Sequence, residues 1–100
     1  MRQPELTFRA PPEVAEIARR ALLARKRYGR GGTLIGVVRA YQLSQRRPMR
    51  LATIKRMVSF FARHGPDDRS SPSSAASIAW GLWGADRGRA WAKAIVARYS

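Results

Sequence analysis

The stretch from Pro11 to Gly29, PPEVAEIARRALLARKRYG, reads as one amphipathic helix with its own start and stop. Proline suits a first helical turn, where its missing N–H would have no partner anyway. Glu13 and Glu16 stand near that start, where the helix dipole favours acids. Helical spacing puts Val14, Ile17, Ala18, Ala21, Leu22, Ala24 and Tyr28 on one side. Arg19, Arg20, Lys26 and Arg27 fall on the other. Gly29 ends the run in the left-handed conformation, with Gly31 and Gly32 just behind it. The pattern predicts a helix over 12–28.

Reading outward, the same periodicity recurs. Residues 1–10 form an N-terminal arm, irregular, with Phe8 folding back on the body, and residues 11–100 form a single helical domain. Thr33 is a good N-cap for a second helix over 34–46, whose apolar set is Leu34, Val37, Val38, Tyr41 and Leu43. Its β-branched residues leave a strand over 33–38 as the alternative. Arg47-Pro48 breaks this helix, because the residue before proline avoids helical geometry. A third helix spans 51–64, with Leu51, Ile54, Met57, Val58 and Phe61 inward. Lys55, Arg56, Ser59 and Arg63 point outward, and Gly65-Pro66 ends the helix. Residues 66–73 read as a mobile polar loop. A fourth helix covers 74–82, and a fifth runs from Ala85 or Asp86 to Arg98 with Trp91, Ala94 and Ile95 inward. The sum is an all-α compact bundle of four or five short helices. A helix-turn-helix-like pair formed by the second and third is one arrangement of it.

One hundred residues make one domain, and 45% hydrophobic residues suffice for a modest core. Charge is the unusual property: 20 Lys and Arg against 6 Asp and Glu, a net +14. Between Ile17 and Pro66 there is no acidic residue at all. Positive charge this one-sided repels itself, and a polyanion relieves the repulsion. Phosphate neutralisation then drives binding by counterion release. Lysine occurs only at 26, 55 and 93, so the charge is mostly guanidinium, whose planar fork matches phosphate oxygens or a guanine edge. The absence of cysteine excludes disulfides, zinc fingers and thiol nucleophiles. No apolar run approaches a membrane span, and the N-terminus lacks the apolar core of a signal peptide. The expected location is the cytoplasm in which the chain is made.

Five constellations bear on chemistry. The basic stretch offers Arg19, Arg20, Lys26, Arg27 and Arg30 for phosphates, with Arg46, Arg47 and Arg50 beside them. Lys55, Arg56 and Arg63 extend that surface or lie in a groove. In a helix-turn-helix arrangement Arg50, Thr53, Lys55 and Arg56 would read base edges, although two helices with a short link are also the default unit of any helical domain. The run from Tyr28 to Thr33, YGRGGT, is either a helix cap followed by a tight turn or a backbone cradle for an anion, with Arg30 able to enter a minor groove. It lacks the lysine of a nucleotide P-loop. Trp80, Trp83 and Trp91 read as core before they read as stacking platforms for bases. His64 with Asp67 and Asp68 makes no metal or triad set, so neither catalysis, metal nor cofactor is expected.

Four patches also read together: FRAPPEV from Phe8, YGRGGT from Tyr28, TIKRMVSFFARH from Thr53 and IAWGLWGADRGRAWA from Ile78. They resemble a small helical domain of tailed bacteriophages, whose pattern runs proline pair, charged helix, GRGGT, KRM-SFF-RH, then IAW-LWGGD-G-WA. Ala85 stands where that family often has a second glycine, and a serine-rich loop stands in place of a lysine-rich one. The resemblance implies phage origin and a compact helical unit. The family has no assigned activity, so no site residue carries over. The expectation is non-catalytic nucleic-acid binding, DNA ahead of RNA, in the host cytoplasm. The alternative is a virion component or small regulator docked on an acidic host protein.

Overall fold

The computed structural model describes residues 5–64, 71 and 73–100. Of the polar loop predicted at 66–73, only Ser71 and Ser73 fall within that range, and the predicted Gly65-Pro66 stop lies outside it. Five helices follow in order: α1 Pro12–Tyr28, α2 Leu34–Ser44, α3 Leu51–Arg63, α4 Ala75–Leu82 and α5 Ala85–Tyr99. The chain is an all-α bundle, as its periodicity predicts. α1 packs on α2 and α4, and α3 packs on α5.

α1 has the predicted bounds. Gly29 closes it at φ 64°, its N–H donating to Arg25 O. Val14, Ala15, Ala18 and Ala21 are buried, whereas Tyr28 is exposed. Thr33 caps α2 through Oγ1, which accepts from Gly36 N at 3.3 Å. The strand alternative for 33–38 does not form.

α2 ends at Ser44, two residues before the predicted stop. Arg46 adopts φ 49°, and Arg47 N–H donates to Gln42 O at 2.9 Å while Arg46 N–H donates to Leu43 O at 3.0 Å. This is a Schellman closure with arginine where glycine is usual. Arg46 is held there by its side chain: Nε donates to Ala10 O at 2.7 Å, and Arg9 Nη1 donates back to Arg46 O at 2.8 Å.

The arm is not wholly irregular. Thr7–Phe8 (β1) pairs antiparallel with Met49–Arg50 (β2), Thr7 opposite Arg50 and Phe8 opposite Met49. Phe8 does fold back, its ring 5.2 Å from that of Tyr99. The prolines at 11 and 48, which have no N–H to donate, stand close behind Phe8 and directly before Met49 and keep the ladder short.

The core joins the two halves through aromatics. Phe60 stacks on Trp83 at 4.5 Å and 9°, and Phe61 meets Trp80 edge-on at 4.8 Å. Trp80 and Trp83 are buried as predicted, while Trp91 is only half-buried. The fifth helix approaches by its small residues: Gly88 and Ala92 are its buried positions.

α4 turns into α5 through two consecutive left-handed residues, Gly84 at φ 97° and Ala85 at φ 54°. A Cβ in that conformation crowds the backbone and costs roughly 1–2 kcal/mol. Ala85→Gly is therefore expected to stabilise the fold by about 1 kcal/mol, less what glycine's extra freedom removes. Denaturant melts read this directly, and a destabilised variant would show that the Ala85 methyl packs better than its backbone strains.

Candidate nucleic-acid interface

The cations of α1 differ in how free they are. Arg19 and Arg20 share one acid: Arg19 Nε and Nη2 donate to the two Glu16 oxygens at 2.6 Å each, and Arg20 Nε donates to Oε2 at 3.3 Å. The Arg19 hydrogen bond, with the charges of Arg19 and Arg20, holds the Glu16 carboxyl at about 2 against its ordinary 4.5. Its stabilising contribution is thus fully present above the ordinary value and is lost progressively as pH falls from there through about 2. At neutral pH two predicted phosphate contacts are partly neutralised. Glu16→Gln is accordingly expected to tighten duplex DNA binding and steepen its salt dependence by up to about 0.9 per freed charge. An unchanged slope in a salt titration would place Arg19 and Arg20 outside the interface.

Lys26 and Arg27 are exposed, with the Arg27 guanidinium 5.4 Å from the Tyr28 ring. Arg30 is exposed too, but its Nε donates to Ser73 O at 3.0 Å. In the YGRGGT run the glycines have a packing role. A Cβ on Gly31 would sit 2.5 Å from Ile78, and one on Gly32 would sit 2.6 Å from Leu82. The loop needs both glycines to lie against α4.

The linking arginines serve the fold as well as the surface. Besides Arg46, Arg47 Nε donates to Gln45 Oε1 at 2.8 Å, and Arg50 pairs with Glu5 at 3.3 Å. α3 adds three cations to the exposed ones of α1. Lys55, Arg56 and Arg63 are exposed and, among the described residues, make no hydrogen bond or ion pair. Only Ala52, Ser59 and Ala62 separate them on that face, small enough to let a phosphate backbone approach.

α2 and α3 do not form the tightly packed pair that a helix-turn-helix requires. α2 rests on α1 and α4, α3 rests on α5, and a groove of about 1300 Å³ opens between them. The cause is the orientation of α2. Leu34, Ile35, Val38 and Tyr41 are exposed, and the buried face is Gly36, Arg39, Ala40 and Leu43. Of the expected apolar set Leu43 is inside, but Leu34, Val38 and Tyr41 are not; Gly36 and Ala40 take the inner face and let α2 approach closely. A Cβ on Gly36 would already stand 3.2 Å from Trp83 Nε1.

Sequence reading missed Arg39. It is only 6% exposed, its guanidinium carbon 5.2 Å from the Trp83 ring centre. Nη1 donates to Gln42 Oε1 at 2.5 Å, and among the described residues Nε has no acceptor. Burial, then the charge of Arg56, lowers its pKa from the ordinary value. The one available signal was its place in line with Gly36, Ala40 and Leu43. Sequence reading also left out the exposed Arg87, Arg89 and Lys93 of α5.

His64 packs its ring 4.6 Å from Phe60. Asp67 and Asp68 lie outside the described residues. Among the described residues no cluster of His, Cys, Asp or Glu is arranged to hold a metal, and no helix is long and apolar enough to cross a membrane. No protein-family model, curated protein or solved structure matches the chain.

Proposed function

We propose that this protein binds nucleic acid without catalysis, duplex DNA in particular, as a small basic accessory protein of phage origin acting in the host cytoplasm. The observation that carries the reading is the outer face of α3, where Lys55, Arg56 and Arg63 stand exposed and, among the described residues, unpaired, with only alanine and serine between them. Lys26 and Arg27 add free charge from α1. Such a surface tracks phosphates and carries little sequence information by itself. Gel-shift titration with duplex and single-stranded DNA of random sequence, repeated across salt, tests it. Tight binding at low salt that weakens steeply as salt rises supports the reading, and no binding to either strand form in dilute buffer removes it.

A further inference from the structure

The groove between α2 and α3 does not suit a phosphate backbone. Its α2 rim is aliphatic: Leu34 is 72% exposed, Ile35 64% and Val38 52%. Its deep wall is aromatic, built from Phe60 and Trp83. Arg39 lies against that wall, buried, with no carboxylate to neutralise it and one donor unused among the described residues. Arg56 and Arg63 line the same groove, and among the described residues no acidic side chain does. A buried guanidinium left in this state is costly, and contact with an aromatic face plus one amide offsets only part of the cost. α2 is moreover apolar on its outer side while already packed on its inner side, the pattern of a helix that is covered on both.

We propose that this groove docks an acidic amphipathic segment of a partner protein, which sets a carboxylate against Arg39 and covers Leu34, Ile35 and Val38 with its apolar side chains. Three observations select this occupant. The volume, about 1300 Å³, exceeds the roughly 300–1,000 Å³ of small-molecule pockets and suits a helix laid in a groove. The unmatched charge calls for an acid, which disfavours a second copy of a chain at net +14. The aliphatic rim gives a duplex nothing to contact.

The test is selection from a displayed library of amphipathic helical peptides with randomised polar positions, using the full chain as bait. Enriched peptides are expected to carry Asp or Glu beside large apolar anchors. Their affinity should fall at least about thirtyfold on Arg39→Gln, as for one partner lost from a desolvated charge pair. Ile35→Asp keeps the control independent of folding, since that side chain is exposed. It should abolish peptide binding with the melting temperature unchanged, while the uncharged Ile35→Ser should weaken peptide binding and leave both duplex binding and the melting temperature unchanged. Failure to enrich peptides, enrichment of non-acidic ones, or equal binding by the Arg39→Gln and Ile35→Asp variants overturns the proposal. Loss of duplex binding in Ile35→Ser, which adds no charge, would assign the groove to nucleic acid instead. A dimer in sedimentation that Ile35→Asp dissociates would assign it to a second copy.

Discussion

Trp80→Ala is expected to lower the free energy of unfolding by about 3–5 kcal/mol. The Trp80 ring is buried where the halves of the bundle meet, edge-on to Phe61 at 4.8 Å and 6.2 Å from Phe60. Its Nε1 donates to Asp86 Oδ1 at 3.1 Å and so ties α4 to the first turn of α5. Truncation removes the burial, leaves a cavity between rings that cannot all move inward, and takes the donor from Asp86. Small domains have about 5–15 kcal/mol in total, so the variant should be close to unfolding at physiological temperature. Trp91→Ala provides the contrast. Trp91 is half-buried on α5, and its loss should cost distinctly less. Equal midpoints for the two variants in denaturant melts would contradict this division of the core.

Duplex affinity is expected to fall about 500-fold between 50 and 200 mM salt. Lys26, Arg27, Lys55, Arg56 and Arg63 are the exposed cations of the basic stretch that form no hydrogen bond or ion pair among the described residues. With each neutralising one phosphate, log K falls with log salt at a slope near −4.5 for B-DNA, and fourfold more salt costs about that factor. Lys55→Ala with Arg56→Ala should flatten the slope by about 1.8 and weaken binding alike on unrelated sequences. Both residues are exposed, so stability should hardly move. A slope that stays near −4.5 in the double variant would take α3 out of the interface.

Local chemistry was legible where the chain decides matters over one or two turns. Pro12 and Gly29 bound α1 as read, Thr33 caps α2, and the aliphatic and aromatic stripe of α3 faces inward. The end of α2 was less legible because Arg46 is stabilised in the left-handed region by bonds to residues 36 and 37 positions away. The β1–β2 pair was not legible for the same reason: its partners come from opposite ends of α1 and α2. Among candidate contacts, charge and type were readable but availability was not. Arg30, Arg46 and Arg50 each find an acceptor far along the chain that only the folded structure supplies, whereas Arg19 pairs with Glu16 one turn away.

By itself the sequence determined helical class, most helix boundaries and the excess of guanidinium over carboxylate, because each follows from residue type and near-neighbour spacing. Tertiary structure alone decided which side of α2 is inside. Close packing against Trp83 and Leu82 leaves room only for a small residue at Gly36, and that choice of inner face turns Leu34, Ile35 and Val38 to the outside and encloses Arg39.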